Sequence, residues 1–379
     1  MNGALNRWLS GGLLGVLAAA SLGLAGCSSD KAPPAPLQPV QPQIAGRQVW
    51  RLPLGSDVSF PMATVVRDGK VFAASDNGSV VAVEAATGRE IWRTRVDGKL
   101  SAGVGSDGRF AAVVTQDNEL VVLDAGKDKW KARLDARVVT APLVAGERVF
   151  VMSVDRAVSA YDVLDGHKLW TLRRPGDALT LAQSSVLAAY KDTLLAAQGS
   201  RLLGLDPTQG NVRWEATVAT PRGTNEVERL SDLVGPPARN GNVLCMRAFQ
   251  TGVGCVDVDR GAVLWTMPGG GVQSVAADAD YVFSADASDR ISARRRRDGS
   301  TVWTNERFLN RSLSAPISVG KTVVFGDFEG QVHFLSRDAG TPLLRLPTDG
   351  SAVIGVPVLS DTTMVVTTRN GGLFGFRPE

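Results

Sequence analysis

DNGSVVAVEAATGREIW, residues 76–92, decides how the rest of the chain is read. Gly78 closes a tight turn, and Val80 to Val83 are the β-branched and small residues that strands favour. Glu84 to Gly88 then turn the chain again before a strand that ends at Trp92. The stretch holds strands and turns and no helical period. Its order of signals returns in LVVLDAGKDKW up to Trp130, VSAYDVLDGHKLW up to Trp170 and LLGLDPTQGNVRW up to Trp214. Three further copies are VGCVDVDRGAVLW up to Trp265, ISARRRRDGSTVW up to Trp303 and VHFLSRDAGTPLL up to Leu344.

With Trp50 counted, these marks stand 38 to 51 residues apart. That is the length of four short strands with their turns, and units of this size are propeller blades. After Leu344 the chain supplies strand signals at 353–358, 363–368 and 373–376 and then stops, while RQVWRLPL, residues 47–54, holds the missing outer strand. The expected fold is all-β: an eight-bladed β-propeller of four-stranded antiparallel blades, with the N-terminal strand closing the last blade so that no sheet edge is left at the seam.

Composition agrees with one closed domain. The 379 residues include 41 Gly and 8 Trp. Without residues 1–26, whose only charged side chain is Arg7, 40 basic residues face 38 acidic ones. Nucleic acid binding would want a concentrated basic face, so it is not expected. Arg7 precedes an apolar run from Leu13 to Leu24 that is too short to span a bilayer and ends in LAGC, residues 24–27. Residues 1–26 therefore read as a signal peptide. Residues 27–46, with Pro33, Pro34, Pro36, Pro39 and Pro42, read as a tether that at about 3.1 Å per residue reaches on the order of 60 Å. Residues 47–379 form the propeller.

Within the repeat, VSFPM at 58–62, VTAPLV at 139–144, VGPPA at 234–238, LSAPIS at 313–318 and VIGVPV at 353–358 read as innermost strands, small and proline-bearing where blades converge. The Trp of each unit reads as packing between blades, and Leu344 fills its place less completely. Cys245 and Cys255 flank Gln250 symmetrically on two strands of one blade, which permits either a disulfide or two buried thiols.

Catalytic and metal chemistry has no foothold in the pattern. His167 and His333 have no Cys, Asp or Glu at metal-ligand spacing, and no nucleophile elbow is present. Gly103 to Gly108 match GxGxxG but open no helix, so they make no phosphate cradle. No cofactor is expected. The run Arg294 to Arg297 reads as a solvated turn, with contact to anionic lipid or a partner as the alternative. Two connections exceed the repeat, residues 173–185 and 219–235. They join consecutive blades and should be neighbours, and loops of this kind carry function because the blades are committed to packing.

The ending LAGC resembles the lipobox of bacterial lipoproteins, in which Cys27 becomes the acylated first residue. Ser28, where Asp is the inner-membrane retention signal, points to the outer membrane. The repeats resemble the pyrroloquinoline-quinone type of eight-bladed dehydrogenases, but the long insertions and adjacent Cys pair of those enzymes are missing. Lipobox, tether, compact repeats and ERLSD at 228–232 together resemble the BamB family of the outer-membrane β-barrel assembly machinery. That resemblance implies a non-catalytic lipoprotein on the periplasmic face of the outer membrane, bound to the POTRA domains of BamA and assisting insertion of outer-membrane proteins. By the same resemblance Leu179 and Leu181 are apolar anchors. Arg229, Leu230, Ser231 and Asp232 form the second part of the partner-binding site, where Arg229 and Asp232 either bond the partner or hold the loop. Ala182 and Val234 stand where the family has Arg and an acid. The alternatives are a periplasmic quinone-dependent dehydrogenase-like protein and a lipoprotein scaffold for another envelope complex.

Overall fold

The structure is a computed structural model that describes residues 32–60, 63–174, 179–221 and 223–378. Its strands form eight four-stranded antiparallel sheets, as the repeat requires. Blade 1 runs Val65–Arg67, Lys70–Ala74, Ser79–Glu84 and Glu90–Arg95, and blades 2 to 7 repeat that plan in chain order. Blade 8 takes Val353–Ser360, Thr363–Thr368 and Gly372–Pro378 from the C-terminus and Gly46–Pro53 from the N-terminus. Gly46 to Pro53 pair with Pro378 back to Gly372, so the seam is a full β-ladder. The first strand of each blade touches the first strand of the next all the way round, which puts these strands at the channel and the fourth strands at the rim.

Three of the five expected innermost strands begin later than their sequence suggested. Pairing starts at Val65, Leu143 and Ile317, so residues 58–60, 139–142 and 313–316 are lead-in segments. Pro142 and Pro316 sit immediately before the pairing, and a proline has no N–H to give to a ladder. The stretches at 234–238 and 353–358 do lie inside innermost strands.

The Trp series shows how blades are locked. Each indole lies on the fourth strand of one blade and covers the turn between the third and fourth strands of the next. Gly88, at φ 69°, is that turn's apex in blade 1, and a Cβ there would come within 2.6 to 2.8 Å of the Trp50 ring. Gly126, Gly166, Gly210, Gly261, Gly299 and Gly340 meet Trp92, Trp130, Trp170, Trp214, Trp265 and Trp303 in the same way. The Trp50, Trp130 and Trp170 indoles also donate to the carbonyls of Ala85, Val163 and Pro207 in those turns. Blade 8 has no such turn, because its third and fourth strands come from opposite ends of the chain. That is why blade 7 carries Leu344 instead of Trp, with Gly46 against it.

A Gly88→Val substitution is expected to cost about 3 kcal/mol, from left-handed strain and overpacking on Trp50. Gly69→Val, at φ 71° with nothing within 4 Å, should cost about 1 kcal/mol. Denaturant unfolding of both variants checks this, and equal losses would remove the indole from the explanation.

Cys245 and Cys255 face one another across the middle strands of blade 5, with Cα atoms 4.1 Å apart, and are joined in a disulfide. Residues 35–45, read from sequence as part of a free tether, instead lie against the propeller. Ala35 N–H donates to Leu309 O, and Gln43 N–H to Leu343 O. Residues 1–31, with the expected signal peptide and Cys27, lie outside the described residues.

Candidate functional site

One face of the ring carries every blade-to-blade connection and every turn between second and third strands. Both long connections open on it, either side of blade 4. The longer one is shaped by its own polar residues: Asn225 Oδ1 accepts from Glu228 N–H at 2.9 Å, and the Glu228 carboxylate accepts from Thr224 N–H at 2.8 Å. Those hydrogen bonds, the Thr224 backbone first, hold Glu228 below the usual carboxylate range. The result is a single helical turn at the loop tip, with Arg229 N–H on Asn225 O.

Asp232 ties the two connections together. One carboxylate oxygen accepts from Leu181 N–H at 2.8 Å and the other from Arg156 Nη2 at 3.2 Å. Arg156 Nη2 also reaches Leu179 O at 3.3 Å. Both charged side chains are largely buried, at 16% and 14% exposure, so each depends on the other. Further along, Ser185 pairs with Val234, and the Ser185 hydroxyl donates to Leu233 O at 2.6 Å. Val234, standing in the place of an acid, is thus a buried pairing position of the innermost strand.

Between the connections lies a groove of about 550 Å³. Leu179 and Arg229 are on its walls with Leu230, Glu226, Arg174 and Arg201. Glu215 accepts from Arg174 at 2.7 Å and Arg201 at 2.6 Å, and these partners, Arg174 first, keep its carboxyl low. Arg229 has no ion-pair partner among the described residues, and Leu179 is among the exposed large apolar side chains. Leu181 and Leu230 are half-buried, Ala182 is exposed, and Ser231 is buried. All the expected site residues therefore gather at one place, with Ser231 and Asp232 inside it and Leu179, Arg229 and Leu230 bordering the groove.

Arg156 was missed in the sequence. It occupies the left-handed position of a second-to-third-strand turn, φ 64°, where other blades have Gly78, Asn118, Asp289, Gly330 and Gly371. A long cationic side chain at a position that favours Gly, Asn or Asp is a readable sign of a tertiary duty.

The two histidines differ. His333 is buried, donates from Nε2 to Asp327 Oδ2 over 3.0 Å and accepts from Arg345 Nε at Nδ1 over 3.3 Å; burial pushes its pKa down. His167 is exposed, and here the sequence expectation needs correction: donor atoms of Asp162, Asp165 and His167 lie within 4.8 Å of one another. A tight turn folds them together, and Asp162 and Asp165 are occupied by the turn's own N–H groups. In the Arg294 to Arg297 run, Arg294 donates to Pro268 O and Arg296 to Ala279 O, so two of the four are structural braces.

The family model described as outer membrane protein assembly factor BamB matches residues 40–102 and 97–305. The chain belongs to the BamB family. Outer membrane protein assembly factor BamB of Burkholderia pseudomallei is 37% identical over 368 residues, covering 96% of this chain and 97% of that one. The crystal structure of BamB from Moraxella catarrhalis superposes with a TM-score of 0.78 at 22% identity, over 88% of this chain and 99% of that one. Quinohemoprotein alcohol dehydrogenase from Comamonas testosteroni shares the fold alone, at a TM-score of 0.66 and 14% identity over 89% of this chain and 78% of that one. BamB-family membership and the eight-bladed ring thus agree.

Proposed function

We propose that this BamB-family chain is a non-catalytic scaffold for outer-membrane protein assembly. It is held to the periplasmic face of the outer membrane by acylated Cys27, and it docks the POTRA domains of BamA in the groove between its two long connections. The observation that carries this reading is the groove itself. An exposed Leu179 and an Arg229 with no ion-pair partner among the described residues border one concavity, and the Asp232 clamp leaves both side chains free of the loop-holding duty. An apolar anchor beside a cation free to take a partner's carboxylate is the composition of a docking centre. Leu179, Leu181, Arg229 and Leu230 are assigned to the partner, and Ser231 and Asp232 to holding the loops.

The test is calorimetric or interferometric binding of residues 28–379 to a soluble POTRA fragment of BamA. A Leu179→Ala/Arg229→Ala chain that keeps the parent's unfolding midpoint should bind at least about tenfold more weakly. No binding by the parent at high micromolar concentration would reject the BamA assignment and favour a scaffold for another envelope complex.

A further inference from the structure

We propose that residues 35–45 are a fixed strap that brings the acylated end of the chain out beside blades 6 and 7, so that this edge of the propeller rests on the bilayer surface. The inference rests on the reading that Cys27 carries the lipid.

The seat of the strap is a built site. Ala35 donates its N–H to Leu309 O and accepts from Arg311 Nη1 at 3.0 Å. Leu37 packs against the buried apolar cluster that includes Phe308, Leu313 and Phe325, and Gln38 O accepts from Arg345 Nη2 at 2.9 Å. The two arginines are themselves held by buried groups. Arg311, 4% exposed, bonds the fully buried Asp327 at 2.8 Å and also Glu329, while Arg345 bonds His333, which bonds Asp327. Both arginines grip backbone carbonyls, so the contact suits a proline-rich chain without needing its side chains. Prolines also lower the entropy lost when the segment is ordered.

Direction follows from topology. Leu309 lies in the connection from blade 6 to blade 7, on the face that carries the two long connections. The strap then climbs the fourth strand of blade 7, past Arg345 and Leu343, to Gly46 at the seam. The chain therefore leaves the propeller on the same face as the docking groove, two to three blades away. Cys27 lies only eight positions before Ala35, a reach of at most about 28 Å instead of roughly 60 Å for the whole segment. At the exit stands Phe328, 36% exposed, with Arg311 stacked on its ring at 5.0 Å. The matching turn positions in blades 1, 2, 3, 6 and 8 are Asp76, Gln116, Val154, Ala287 and Arg369, and the one in blade 5 is Phe249, which is half-buried, so Phe328 is the exposed aromatic of this set. An exposed ring next to a short lipid tether fits the headgroup boundary.

The experiment uses the full acylated lipoprotein in vesicles of phosphatidylethanolamine and phosphatidylglycerol, with a nitroxide on Phe328→Cys or on Asp117→Cys across the ring in blade 2. Accessibility to oxygen relative to a water-soluble nickel complex should be about threefold higher at 328 than at 117. A strap variant with residues 35–43 replaced by Gly and Ser at equal length should still float with the vesicles and lose that contrast. Flotation with no contrast in the parent chain would overturn the strap inference while leaving the lipid reading intact. Loss of flotation in the parent would overturn both.

Discussion

An Arg247→Ala chain is expected to be about 4 kcal/mol less stable than its parent, and to melt about 6 °C lower. Arg247 lies on the second strand of blade 5, is fully buried, and has no carboxylate bonded to it among the described residues. Its three nitrogens donate instead to Gln273 O and Ala285 O, each at 2.6 Å, and to Gly269 O at 2.5 Å. All three acceptors belong to the connection into blade 6 or to blade 6 itself. The guanidinium is thus a bolt between two blades, and the bare Gly271 gives it room, since a Cβ there would lie 2.7 Å from Nη1. Burial lowers the pKa to about 10, which leaves the group charged at neutral pH. Truncation removes a buried cation, but it strands three carbonyls that water cannot reach and opens a cavity, and these costs exceed the relief. Arg247→Lys should recover only part of the loss, because one ammonium cannot span three acceptors set around a planar fork. Denaturant unfolding measures both, and an Arg247→Ala loss below about 1 kcal/mol would mean that the carbonyls find other donors.

The second large effect concerns partner binding. Asp232→Ala and Arg156→Ala should each weaken binding to the BamA fragment by about tenfold, and the double variant should weaken it no further. The reason is that the carboxylate is fully used within the chain, on Leu181 N–H and Arg156, and so acts by positioning the Leu179 and Leu181 segment. Non-additivity of this kind belongs to two residues that form one clamp. If Asp232 touched the partner directly, Arg156→Ala would leave binding unchanged or improve it by freeing the carboxylate. Additive losses would likewise count against the clamp. Arg229→Ala supplies the contrast: with no ion-pair partner to lose among the described residues, it should add its own loss to that of either clamp variant.

Much of this molecule was legible as text because its packing problem recurs. Each Trp marks a blade, each turn glycine lies under the preceding Trp, and the lone Leu344 marks the seam where that turn does not exist. Propeller closure by the N-terminal strand followed from counting strands at both ends. Strand starts were less legible at 139–144 and 313–318, where residues suited to a strand precede a proline that postpones pairing. The gathering of residues 179–182 and 228–232 could be expected from their place in consecutive blades. Arg156 could not be placed there from spacing alone, since it lies 76 residues from Asp232.

By itself, then, the sequence determined the all-β repeat, the number of blades, the seam and the neighbourhood of the site, because each depends on local periodicity and chain order. Tertiary structure alone decided that Asp232 faces inward and Arg229 outward, that Arg247 bolts two blades, and that residues 35–45 are seated instead of free. Those outcomes depend on which buried donors and acceptors the closed ring leaves unpaired, and that inventory exists only once distant blades are brought side by side.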